Sequence, residues 1–120
     1  MPKRDLRLCI EDILDSIEAV ESYITEVKNF NAFSKDRKTY SATIREYIVI
    51  GEAILPLIGL LETKFPNYEW QMIKDFRNFI VHEYFSVDIQ IVWDITKLEL
   101  SELKEKIKSL KKDLQKNKLS

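Results

Sequence analysis

Near the start of the chain, Leu6, Ile10, Ile13, Ile17, Val20, Ile24 and Val27 recur at alternating steps of four and three. Such spacing forms one apolar seam only on a helix, because a strand turns alternate side chains to opposite faces. A helix with that seam hides it by lying lengthwise against other helices at a shallow angle. The sequence offers a β fold little support, since its 120 residues hold 2 Gly and 3 Pro, too few for a many-turned protein.

Asp5 is placed to cap this first helix, which the seam carries to about residue 28, with Asp12, Asp15, Glu18, Glu21 and Glu26 on its other faces. Residues 29–34 break the pattern and read as a loop. A second helix is expected from Ser34 or Asp36 through Leu61, with Tyr40, Ile44, Tyr47, Gly51, Ile54 and Ile58 on one stripe. Gly51 costs that helix about 1 kcal/mol relative to Ala. Close approach of another backbone would offset the cost, or the glycine has no special role. Pro56 should remove one backbone hydrogen bond and bend the helix.

The third helix is expected over residues 69–81, carrying Trp70, Ile73, Phe76 or Arg77, and Ile80. Ser86 or Asp88 then caps a fourth helix reaching about residue 114, with Val92, Ile95, Leu98, Leu103, Ile107, Leu110 and Leu114 inside. The expected fold is all-α: one domain over residues 1–120, core 3–112, as an antiparallel up-and-down four-helix bundle.

A hydrophobic fraction of 45% beside a charged fraction of 32% describes an ordinary globule rather than a disordered chain. The formal net charge of −1 gives no global attraction to nucleic acid, so any RNA contact must be local. Cys9 is alone, which rules out an internal disulfide. The first residues lack the apolar stretch of a secretory signal, and the longest apolar run, residues 48–61, is too short for a bilayer and contains Glu52 and Pro56. A cytoplasmic protein without membrane attachment is expected. Lysines crowd residues 104–120, either as a solvated helix end favoured by the helix dipole or as a weak contact for an RNA backbone.

The chemistry concentrates in residues 77–84, which hold the chain's one histidine. Arg77 is a permanent planar cation suited to phosphate. His82 can exchange a proton near neutral pH. Asn78 stands four residues before His82 and could orient its ring, while Tyr84 offers a modifiable hydroxyl. On a straight helix Arg77 and His82 diverge by about 140°. Either the helix ends near Val81 and the chain turns, or the site is assembled across two subunits. A solvated helix end without chemistry is the plain alternative. Position 86 is Ser, not the second His of a zinc-protease helix, and position 79 is Phe, not the Glu of a di-iron bundle. With no glycine-rich phosphate loop and no cysteine pair, neither a metal nor a cofactor is expected.

Arg77-x4-His82-x-Tyr84, late in the third helix of a small bundle, resembles the HEPN domains and specifically the HepT-like toxins. Gly51-Glu52-Ala53, Trp70, and the residues following Tyr84 to Val92-Trp93 add to the resemblance, which covers residues 3–112. It implies a metal-independent ribonuclease acting on tRNA or mRNA as a homodimer, with two motifs facing one cleft. It further implies a partner, a minimal nucleotidyltransferase antitoxin (MntA-like) that silences the toxin by adenylylating the motif tyrosine. Carried over, Arg77 and His82 are catalytic, Asn78 is supporting and Tyr84 is the modified residue. A rival reading makes the same motif a non-catalytic docking and acceptor surface for a nucleotidyltransferase.

Overall fold

The computed structural model describes residues 5–82 and 88–119, and Tyr84 and Ser86 lie outside the described residues. Seven α-helices are assigned among them: α1 (Leu6–Ile24), α2 (Phe30–Lys35), α3 (Arg37–Ile54), α4 (Ile58–Lys64), α5 (Trp70–His82), α6 (Ile89–Leu98) and α7 (Leu100–Leu119), with a 3-10 turn (Leu55–Leu57) joining α3 to α4. Apart from the short α2, they compose four runs: α1, α3 with α4, α5, and α6 with α7. No strand occurs among the described residues.

Cross-helix pairs fix the directions. Glu21 meets Lys104 and Glu11 meets Lys111, so the first and fourth runs are antiparallel. Glu52 meets Arg77 and Glu62 meets Lys74, so the second and third are antiparallel too. Tyr47 bonds Thr96 while Lys64 bonds Asp113, which sets the second and fourth runs parallel, as an up-and-down bundle requires. The first-helix seam is buried at Ile10, Ile13, Ile17 and Val20, with Cys9 packed beside it.

Three side-chain caps start helices where the sequence indicates. Asp5 accepts from the Arg7 backbone N–H at 2.9 Å, Asp36 from Thr39 at 3.0 Å and Asp88 from Gln90 at 2.8 Å. The carboxylates of Asp5 and Asp36 titrate below their ordinary range, Asp5 chiefly through the Arg7 backbone bond, and Asp36 through the Thr39 hydroxyl first and the Thr39 backbone N–H second.

Four departures have physical causes. α1 stops at Ile24 rather than near residue 28; the Thr25 hydroxyl donates to the Glu21 carbonyl, and a 3-10-type bond from the Thr25 N–H to the Ser22 carbonyl closes the end. Residues 30–35 are a helix and not a loop: Asn29 caps it, and Phe33 is buried against Trp93 and Tyr40. Pro56 does more than bend the second helix, since it sits in the 3-10 turn that divides α3 from α4. The fourth helix breaks at Glu99, which resets the register. Leu98, expected inside, is 74% exposed, and Leu100 takes the core position at 3%.

Candidate active site

The start of α5 is pinned by Trp70, whose buried indole donates to the Phe65 carbonyl at 2.8 Å. Further along, Phe76 stands edge-on to Tyr47 at 5.4 Å and Ile80 is fully buried. Arg77 falls between these two anchors and faces α3.

What it meets there is Gly51. A Cβ at position 51 would lie 2.6 Å from Arg77 Cγ and 3.1 Å from its Cβ. The close approach expected at Gly51 is therefore made by a side-chain stem, and the nearest backbone atom of Arg77 is farther off at 3.6 Å. Laid in this slot, the guanidinium donates from Nη2 to Glu52 Oε1 at 2.7 Å and from Nη1 to Asn78 Oδ1 at 2.9 Å. Its Nε is buried and has no partner among the described residues. Each terminal nitrogen keeps one hydrogen beyond these bonds. The Arg77 side chain is 21% exposed and that of Glu52 is 50% exposed, so the cation is held at the surface, not sealed.

Beneath Arg77 is a cavity of about 30 Å³ lined by Tyr47, Ile50, Phe76, Tyr68 and Ile95 among others. That volume holds about one water and cannot take a nucleotide, so any phosphate is met from outside. At its rim, burial first and then the charges of Glu99 and Glu102 push the Tyr68 phenol up to about 12.

The backbone of α5 is helical through His82, so no turn intervenes between Arg77 and His82. Along such a helix the two positions diverge by about 140°. The imidazole of His82 lies outside the described residues, as do Tyr84 and any contact from Asn78 to the ring. Asn78 is placed instead by its bond to Arg77. The motif named Arg77 but not its counter-ion. Glu52 stands as the one charge in the apolar run of residues 48–61 and within the Gly51-Glu52-Ala53 quoted for the resemblance, and those were the available signals.

The lysines of α7 are largely committed. Lys104, Lys106, Lys108 and Lys111 each lie within 4.0 Å of a carboxylate, on Glu21, Glu102, Glu105 and Glu11. This favours the solvated-helix reading over a free basic strip. Among the described residues no group of three or more His, Cys, Asp or Glu is gathered to hold a metal, and no helix is long and apolar enough to cross a membrane.

The model of the family described as Ribonuclease HepT-like matches residues 13–110, which takes in the whole bundle from α1 into α7. The chain belongs to the HepT-like ribonuclease family. It is 33% identical over 114 residues to "Putative RNase MJ0127" of Methanocaldococcus jannaschii, covering 92% of this chain and 93% of that one. "Probable ribonuclease HepT" of Thermococcus cleftensis is 33% identical over 110 residues, covering 92% and 99%. A third relative, "Gamma-glutamylcyclotransferase and putative RNase MJ0434" of M. jannaschii, is 32% identical over 116 residues; these cover 97% of this chain but 52% of that protein. No solved structure matches. Within this HepT-like bundle, the matched segment includes Gly51, Glu52, Arg77 and His82.

Proposed function

We propose that this HepT-like chain is a metal-independent endoribonuclease toxin that cleaves tRNA or mRNA through the RNA's own 2′-hydroxyl. The oxygen attacks the adjacent phosphorus and the 5′-oxygen leaves, giving a 2′,3′-cyclic phosphate and a 5′-hydroxyl end. His82 takes the 2′-hydroxyl proton or supplies one to the leaving oxygen, a contribution of about 10²- to 10⁴-fold. Arg77 stabilises the second negative charge that phosphorus oxygens acquire in the five-coordinate state, worth about 3 kcal/mol by analogy with other preorganised donors.

The observation that carries this reading is the setting of Arg77: a half-sheltered cation, fixed by two acceptors, with one hydrogen left on each terminal nitrogen. Because α5 stays helical through His82, the site is completed in a homodimer, where the His82 of one copy serves with the Arg77 of the other. A minimal nucleotidyltransferase antitoxin silences it by transferring AMP to Tyr84, which adds a phosphate charge and a bulky nucleoside beside the motif. The protein works in the cytoplasm.

Purified chain is expected to degrade RNA in EDTA, and Arg77→Ala or His82→Ala to abolish this. Retained cleavage in either variant sinks the assignment. The commitment of the α7 lysines to carboxylates favours a second reading, in which the motif is a docking and acceptor surface for the nucleotidyltransferase. Both readings predict adenylylated Tyr84 by mass spectrometry after incubation with ATP and the partner. Only EDTA-resistant cleavage separates them.

A further inference from the structure

We propose that Glu52 is a positioning residue for Arg77, holding its guanidinium in place for the charge that develops on the reacting phosphate. The proposal rests on the assignment of Arg77 to phosphate chemistry. Glu52 is half-exposed on α3, is the one charge in the run of residues 48–61, and directs that charge at Arg77. Its Oε1 sits 2.7 Å from Arg77 Nη2, while Gly51, the preceding residue, removes the Cβ that would displace the arginine stem. Two adjacent residues of α3 thus set both where the stem lies and where the guanidinium stops.

A paired guanidinium differs chemically from a free one. The phosphodiester carries one negative charge in the ground state and gains a second as the 2′-oxygen attacks. A carboxylate already at Nη2 weakens the arginine's attraction for phosphate in both charge states, yet it keeps the remaining N–H groups fixed for the charge that develops. Interactions stronger in the transition state than in the ground state raise turnover, whereas uniform attraction lowers only KM. Held in place by Glu52, Arg77 therefore contributes more to turnover than to substrate binding. A merely structural ion pair at such exposure would move neither.

Glu52→Gln keeps an oxygen acceptor and removes the charge, Glu52→Ala removes both, and Gly51→Ala leaves Glu52 while crowding Arg77. The full-length chain and each variant are compared in two measurements. In side-chain nitrogen NMR, with the Arg77 signal assigned through Arg77→Lys, wild type and Glu52→Gln are expected to show a guanidinium with slowed rotation. Glu52→Ala should lose it and Gly51→Ala should shift it. In EDTA with bulk tRNA, Glu52→Ala is expected to lower kcat by roughly tenfold with a smaller change in KM, and Glu52→Gln, which keeps an acceptor for Nη2, to recover most of that loss. Both variants, lacking the carboxylate charge, should bind a 2′-O-methyl oligoribonucleotide, which cannot be cleaved, at least as tightly as wild type.

Identical guanidinium spectra in wild type and Glu52→Ala overturn the positioning role. Unchanged kcat in Glu52→Ala, where Arg77→Ala is dead, overturns the support of turnover and leaves the nuclease assignment standing. Cleavage that survives Arg77→Ala removes that assignment instead, and the spectra still decide whether Glu52 fixes the guanidinium.

Discussion

Helix α3 meets α1 along one side and α5 along another, and the two seams are built differently. On the α1 side Ile10, Ile13, Ile17 and Val20 are sealed from solvent, no charged residue is buried among the described residues, and Tyr23 donates to Glu46 at 2.8 Å at the exposed edge. On the α5 side the apolar packing of Tyr47 with Phe76 gives way, one residue later, to a glycine facing an arginine stem and a carboxylate facing its head. The first seam spends its contacts on stability. The second gives up packing at one point to keep a cation at the surface in a fixed pose, which is the pattern expected where a local rule is broken for function.

The contrast can be broken at several strengths. Ile17→Ala should have the largest effect, since emptying a sealed aliphatic site costs about 2–5 kcal/mol. Its urea midpoint should fall sharply while cleavage per folded molecule holds; equal losses in both would mean that the seams are not separable. Arg77→Ala should do the reverse, removing about 3 kcal/mol of transition-state stabilisation with a nearly unchanged midpoint. Gly51→Ala falls between them. The alanine favours the helix by about 1 kcal/mol but intrudes on Arg77, so stability should stay near wild type while tRNA cleavage in EDTA declines.

Tyr47→Phe probes the junction of the seams. Burial raises the Tyr47 phenol well above its ordinary value, against the pull of its bond to Thr96, and Tyr68 is pushed up to about 12. The folded chain thus keeps phenolic protons after the unfolded chain, titrating near about pH 10, has lost them. Stability is full below that pH and declines as pH rises through it. Tyr47→Phe should flatten the decline in urea midpoints measured across the alkaline range. Its cost at neutral pH should be only about 1 kcal/mol, because Thr96 still donates to the Val92 carbonyl. Lys104→Ala, which opens the half-exposed pair with Glu21, should cost less than about 1 kcal/mol, and a larger drop would mark that rim as structural.

What could be read from the chain was local. The α1 seam is a repeating pattern within one helix, and Asp5, Asp36 and Asp88 cap within three residues of themselves, so each could be named without tertiary knowledge. α2 could not, because six residues are less than two turns and show no period; its cause is Phe33 meeting Trp93 from the far end of the sequence. The exposed Leu98 had the same origin, since one interrupted turn at Glu99 moves every later side chain around the axis. At the site, Arg77 was legible from its residue type and motif. Its hold by Glu52 was not, because it depends on the antiparallel register of α3 and α5, across 25 residues of sequence.

The docking of Phe33 against Trp93 gives the bundle a natural optical gauge. A helix as short as α2 has no standing in water by itself, so once that benzyl ring leaves, the whole segment goes and the indole beneath it is wetted. Trp93 belongs to α6, whose first turn follows directly on residues 83–87. Its emission should therefore redden when this end of the molecule loosens, ahead of global melting, with Trp93→Phe separating its light from that of Trp70.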